Sequence, residues 1–148
     1  MLTVRTMRES DIAEIVRIDC LAFGRPRPHY LEVLLLRSLR VTGLQISAVA
    51  ELDGRVAGYL MASLYYGEYG IAEPAASVDA IGVDPDARRK RVGHALLQHL
   101  TQSAKAAGVT RLRTEVEWDD LDLLGFFARE DFAPAKRLCL ELLIERTS

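Results

Sequence analysis

Residues 77–97 read SVDAIGVDPDARRKRVGHALL. An apolar run of strand character ends at Val83 and turns at Asp84-Pro85-Asp86. Four consecutive basic residues follow, Arg88, Arg89, Lys90 and Arg91, and then an apolar pattern with Gly93 near its start. Val92, Leu96, Leu100 and Ala104 recur every fourth residue, so a helix is predicted from Arg88 to about Ala107, with Gly108 placed to stop it. Thr110 to Trp118 alternates and reads as a strand. Strand, long helix and strand then look like a βαβ crossover, which brings the two strands into one sheet in parallel.

Working outward, Leu2 to Thr6 alternates as a short strand does, and Ser10-Asp11 offers a helix cap. Ile12, Ile15, Val16, Ile18 and Leu21 follow at helical spacing. Gly24-Arg25-Pro26-Arg27-Pro28 breaks that helix. A second helix is predicted from about Tyr30 to Leu39, ended by Gly43. Ile46–Glu51 and Val56–Tyr65 flank Asp53-Gly54, a strong short hairpin signal. A tyrosine-rich loop, residues 65–70, a short helix at Leu121–Arg129 and a last strand at Ala135–Ile144 complete the order β-α-α-β-β-β-α-β-α-β. The prediction is one α/β domain over residues 1–148, with a mixed, mostly antiparallel sheet of about six to seven strands and about four helices.

Composition narrows the functional classes. Charged residues make up 27% of the chain and the net charge is −2, so the basic run is a local feature on an acidic background. A nucleic-acid binder usually presents a basic face or domain, and none is expected here. Cys20 and Cys139 form neither a CxxC nor a Cys/His metal pattern, so no metal site is predicted and two buried thiols are expected. The start, MLTVRTMRESD, lacks the apolar core of a signal peptide, and no apolar run approaches the ~20 residues of a membrane span. The expectation is a cytoplasmic protein without a membrane partner.

The basic run carries the chemistry. A helix N-terminus presents unpaired N–H groups and a partial positive charge, which favour acidic side chains. Arginine and lysine at that place oppose the dipole and call for a compensating anion. A phosphate or diphosphate supplies it, held by backbone amides with basic side chains around it. Gly93 lets the chain approach closely.

Strand, V-x-P-x-x-R, a basic loop, G-x-A and an apolar helix resemble the acyl-CoA site of the GCN5-related N-acetyltransferase (GNAT) family. The family's loop is Arg/Gln-x-x-Gly-x-Gly/Ala. Arg88 matches its leading residue and Gly93 its final glycine, with Ala95 as the small residue beyond. Arg91 stands where the first glycine is expected. Val4-Arg5-Thr6-Met7 with Ser10-Asp11-Ile12 is similar to the family's opening strand and helix. LGFFAREDF, residues 124–132, is similar to its F-Y-x-x-x-G-F motif.

The resemblance implies an N-acetyltransferase that moves an acetyl group from acetyl-CoA to a primary amine by direct attack, the acceptor being a small molecule or a peptide. It implies that backbone groups of Ile81, Gly82 and Val83 bind the pantetheine arm. Arg88, Arg89, Lys90, Arg91, Val92, Gly93, His94 and Ala95 hold the diphosphate, and Phe127 lies at the cofactor. Asp79 is the first candidate for the general base, because strand alternation sets it on one face with Ser77, Ile81 and Val83. Glu115 and Glu117 are weaker candidates. Phe127 takes the place of the family's tyrosine and has no hydroxyl to protonate the leaving thiolate. Solvent is the expected donor instead, with a tyrosine of the 65–69 loop (Tyr65, Tyr66 or Tyr69, Tyr66 first among them) as the weaker alternative. Asp131 replaces the glycine before Phe132. These departures keep a second reading open, a weakly catalytic or inactive acyl-CoA-binding regulatory module. Trp118 is expected in the core or a pocket wall. The final strand, if exposed, offers a homodimer contact.

Overall fold

The computed structural model describes residues 1–39, 46–67, 70 and 72–145. Contacts divide the chain into two units, Met1–Glu115 and Val116–Ser148. The first holds the sheet: β1 (Leu2–Thr6), β2 (Ala48–Leu52), β3 (Arg55–Tyr66), β4 (Pro74–Val83) and β5 (Leu112–Arg113), in that spatial order. All neighbours are antiparallel except β4 and β5, which are parallel. Among the described residues this unit has three α-helices: α1 (Ile12–Phe23), α2 (Pro28–Leu39) and α3 (Val92–Ala106).

Local chemistry explains the elements. Asp53 and Gly54 both take positive φ, 52° and 82°, as a two-residue type I′ hairpin turn between β2 and β3 requires. The entry to α1 is fixed by Asp11, whose carboxylate accepts from the Arg8 N–H at 2.7 Å and takes both Arg5 guanidinium nitrogens at 2.8 and 2.9 Å. Burial pushes the Asp11 carboxyl up, but the Arg5 and Arg8 hydrogen bonds outweigh it and leave it below the usual carboxylate range. Gly24, at φ 93°, ends α1, and Pro28 opens α2 at the position where its missing N–H costs nothing.

The core lies on one face of the sheet, where Val49, Tyr59 and Met61 meet Ile15 and Ile18 of α1 and Leu31, Leu34 and Leu35 of α2. On the other face, α3 packs on β2 and β3 and buries Leu96, Leu100 and Ala104. Gly58 makes that approach close. A Cβ there would stand 2.7 Å from Val92 Cγ1 and 3.0 Å from the Gly82 carbonyl oxygen.

Several expectations change. The long helix begins at Val92, not Arg88, so the basic run is a turn that leads into the helix rather than its first turn. Pairing of β5 stops after two residues, and Thr114 Oγ1 instead donates to the Val78 carbonyl at 3.1 Å. Residues 135–144 form no strand, so the sheet has five strands among the described residues rather than six to seven. Alternation there specified faces without supplying a partner edge, and Leu138, Leu140, Leu142 and Ile144 are exposed. Trp118, expected inside, is 94% exposed, and Cys139 is exposed rather than buried. Gly43 and Tyr69 lie outside the described residues.

In the second unit, Asp120 caps α4 (Leu121–Arg129) by accepting from the Leu123 N–H at 3.1 Å. The helix ends in a Schellman arrangement: the Phe132 N–H donates to the Phe127 carbonyl at 3.0 Å and the Asp131 N–H to the Ala128 carbonyl at 3.1 Å. Asp131 sits at φ 68°, and the Phe127 and Phe132 ring centroids lie 4.9 Å apart across the turn.

Candidate active site

The first unit gathers most of the predicted site on β4 and the turn that follows it. The β3–β4 register runs Ser63↔Ser77, Ala62↔Val78, then Met61↔Ala80, so Asp79 has no partner and is the extra residue of a β-bulge. A bulge re-aims the side chain it carries and ends regular pairing, which is why bulges gather beside active sites. Residues paired across a ladder share a face. Ser63, Ser77, Met61 and Tyr59 therefore lie on the α1/α2 face, while Ile81, opposite Leu60, and Val83, opposite Gly58, lie on the α3 face. Plain alternation had set Asp79 with Ile81 and Val83; the bulge breaks that phase and leaves it with Ser77. Ser77 Oγ donates to Asp79 Oδ1 at 2.6 Å, and Ser63 Oγ lies 2.9 Å from Ser77 Oγ.

Beyond the bulge, β4 keeps β3 on one side only. Its ladder to β5 covers only Ala76 and Ser77, and among the described residues no strand pairs with Ala80–Val83 on that edge. Ile81, Gly82 and Val83 thus offer main-chain groups to an extended ligand. Gly82 has a second reason to lack a side chain. A Cβ there would lie 2.6 Å from Tyr59 Cε1. The Tyr59 hydroxyl donates to Asp19 Oδ1 at 2.7 Å, and Arg27 closes on the same carboxylate at 2.7 and 2.9 Å. Burial, and then the bond to Asp19, push the Tyr59 hydroxyl far above its ordinary range. The Arg27 guanidinium also lies over the Phe23 and Tyr30 rings, 3.9 and 4.7 Å from their centroids.

The turn after β4 is held by Asp84, which accepts from the Asp86 N–H at 2.9 Å and from Arg17 at 2.9 Å. Both bonds, the backbone one first, hold its carboxyl below the usual range. Arg88, Arg89, Lys90 and Arg91 are exposed, and Arg89 and Arg91 take positive φ, 67° and 61°. Arg91 is the residue before α3, with no acidic side chain in the helix's first turn and no side-chain cap bond. Val92 and Gly93 are buried, while His94 and Ala95 are half-buried. The loop therefore combines four side-chain cations with the amide end of a 15-residue helix, a setting suited to a diphosphate.

Within the first unit, no hydrogen bond among the described residues joins Tyr66 or Glu115 to this cluster. Tyr66 ends β3 and is 70% exposed. Glu115 is exposed. Glu117 and Phe127 belong to the second unit, where Glu117 is exposed and Phe127 is buried between Phe126 and Phe132. Among the described residues no group of three or more His, Cys, Asp and Glu is placed to hold a metal ion. None of the described helices is long and apolar enough to cross a membrane.

The model of the Acetyltransferase (GNAT) family matches residues 12–132. The chain belongs to the GNAT family. An N-alpha-acetyltransferase of Sulfurisphaera tokodaii is 30% identical over an alignment of 107 residues that covers 69% of this chain and 62% of that protein. The chain thus matches less than two thirds of that relative's length. Among solved structures, an aminoglycoside antibiotic 6'-N-acetyltransferase of Acinetobacter baumannii superposes with a TM-score of 0.80 at 18% identity, covering 99% of this chain and 100% of the other. The ribosomal-protein-S18-alanine N-acetyltransferase of Escherichia coli gives 0.74 at 20% identity, over 92% and 80%. These two likenesses establish the GNAT fold.

With the family in place, two departures from its motifs gain a physical meaning. Arg91 and Asp131 stand where glycine is expected, and both adopt the left-handed backbone that glycine adopts most readily. The turns are kept and the side chains are tolerated. Sequence reasoning missed Ser63, Tyr59, Asp19 and Gly58. The signal for Gly58 and Gly82 was present as a Gly-Tyr pair facing a Gly-Val pair across two strands, but only the register shows it.

Proposed function

We propose that the protein is an N-acetyltransferase that passes the acetyl group of acetyl-CoA directly to a primary amine. The observation that carries this reading is the bulge at Asp79, a carboxylate on the same strand as the open edge of Ile81–Val83, which leads into the basic turn. Amides from Arg88 to Ala95, with the four basic side chains, would hold the diphosphate. Main-chain groups of Ile81, Gly82 and Val83 would align the pantetheine arm as an added strand. Acetyl-CoA, when bound, supplies the activated thioester, and the chain supplies alignment and charge.

Asp79 accepts the proton that an ammonium acceptor must lose before it attacks, since an ε-amine has a pKa near ~10.4. The thiolate leaves without a dedicated donor and is protonated by solvent, because Phe127 has no hydroxyl, Tyr59 is committed to Asp19, and a thiol pKa near ~8.5 makes it a tolerable leaving group. The acceptor is a small-molecule or peptide amine. In an assay of free thiol release with a panel of amines, Asp79→Asn should lower kcat/KM at neutral pH by roughly 10²–10⁴-fold while the dissociation constant for CoA stays unchanged. Unchanged turnover in this variant would remove Asp79 from the role. Tight CoA binding with no turnover of any amine by the natural sequence would favour the regulatory module.

A further inference from the structure

The two serines beside Asp79 form a chain whose direction can be deduced. Ser77 has one hydroxyl proton and gives it to Asp79 Oδ1 at 2.6 Å, since an ionised carboxylate only accepts. Ser77 therefore accepts in its 2.9 Å contact with Ser63, and Ser63 is the donor there. The Ser63 oxygen is left with lone pairs and no proton of its own to offer elsewhere. It is the accepting end of a chain that runs Ser63, Ser77, Asp79. All three side chains are half-buried, on the face of the sheet that carries α1 and α2.

We propose that Ser63 is the residue that touches the acceptor amine, and that Ser63 and Ser77 relay its proton to Asp79. This rests on the acetyl-transfer reading above. The ammonium gives a proton to Ser63 Oγ, Ser63 passes its own to Ser77, and Ser77 passes its own to Asp79. One proton leaves nitrogen and one arrives on the carboxylate. The freed lone pair forms the N–C bond, the C–S bond breaks and its electron pair departs with sulfur; the second proton that nitrogen loses in becoming an amide passes to water, and water protonates the thiolate.

Other charged and titratable groups stand on the elements packed against this face, among them half-buried Cys20 of α1 and exposed Tyr30 of α2. Arg113 is the register partner of Ser77 on β5, and Tyr59 and Tyr65 stand on β3. From α1, Asp19 is buried and held by Arg27 and Tyr59, while Glu14 and Arg17 pair with each other. From α2, packing on the sheet uses Leu31, Leu34 and Leu35, and His29, Glu32 and Arg37 are exposed.

The test uses the full chain, acetyl-CoA, and two acceptors, a peptide with a free N-terminal alanine and an N-blocked peptide with one lysine. Thiol release is followed from pH 6.5 to 10.5, and CoA affinity is measured in parallel by calorimetry. Ser63→Ala and Ser77→Ala should each lower kcat at pH 7 by about 10–100-fold, somewhat less than loss of the base itself. The deficit should close as pH rises past the pKa of the acceptor amine. Ser77→Thr, which keeps the hydroxyl, should restore most of the rate, and the CoA dissociation constant should stay the same in all variants. A Ser63→Ala rate equal to that of the natural sequence at pH 7, or a deficit of equal size at every pH, overturns the relay and leaves the acetyltransferase intact. Absence of thiol release by the natural sequence with both peptides overturns relay and peptide acceptor together.

Discussion

Replacing Gly82 by alanine tests whether the candidate cofactor strand is built around Tyr59. The added Cβ would lie 2.6 Å from Tyr59 Cε1, 3.0 Å from Cζ and 3.1 Å from the hydroxyl oxygen, all closer than ordinary contact. The ring has little room to retreat, being 1% exposed with its hydroxyl tied to the buried Asp19. Overpacking a tight core costs about 1–3 kcal/mol. If the ring moves far enough to release Asp19, the loss of a hydrogen bond to a buried carboxylate adds roughly 1.5–3 kcal/mol. Gly82→Ala should therefore cost about 2.5–6 kcal/mol, a large share of the ~5–15 kcal/mol that holds a typical domain together. Urea unfolding followed by far-UV circular dichroism measures it. A double-mutant cycle isolates the cause: in a Tyr59→Phe background the tether is already gone, so the same alanine should cost at least ~1 kcal/mol less. A Gly82→Ala variant within ~0.5 kcal/mol of the natural sequence, or strict additivity in the cycle, would refute the reasoning.

Arg91→Gly and Asp131→Gly should each raise stability by roughly 0.5–1 kcal/mol, because each removes a side chain from a left-handed backbone; urea midpoints check this, and a loss would mean that the side chain's contacts outweigh the strain. Asp11→Asn should cost about 1–3 kcal/mol at pH 7, through the weakened Arg5 clamp. Because the folded-state pKa of Asp11 is depressed, its contribution is fully present above the unfolded value of ~3.9 and is lost as pH falls through the folded value. The gap between the two proteins should thus narrow in acid, and a pH-independent gap would contradict the assignment. Arg88→Ala should weaken CoA binding several-fold by calorimetry, and the loss should shrink at high salt; an unaltered dissociation constant would count against the diphosphate placement.

Much of the fold was legible because its signals are local. Asp53-Gly54 set the hairpin, Ser10-Asp11 marked the entry to the first helix, and the four-residue apolar repeat gave the long helix. The start of that helix was misplaced by four residues, since no propensity rule announces that Arg89 and Arg91 will turn left-handed. The last strand was read from alternation alone, which says which side chains share a face and nothing about whether an edge is free to receive them. Asp79 was legible as a candidate but its surroundings were not. A bulge of one residue leaves composition and apolar pattern untouched and shifts the phase of everything after it, so alternation could set Ser77 beside Asp79 but only the register joins Ser63 to them. The link from Asp19 to Tyr59 spans 40 residues of sequence and has no local signature.

The left-handed arginines in the basic turn have a consequence for the speed and economy of binding. Their unusual backbone is imposed as the chain folds, with Asp84 already fixing the preceding turn. A diphosphate bound there, as proposed, would meet a turn whose backbone is already set, so little of its interaction energy would be diverted into ordering the loop.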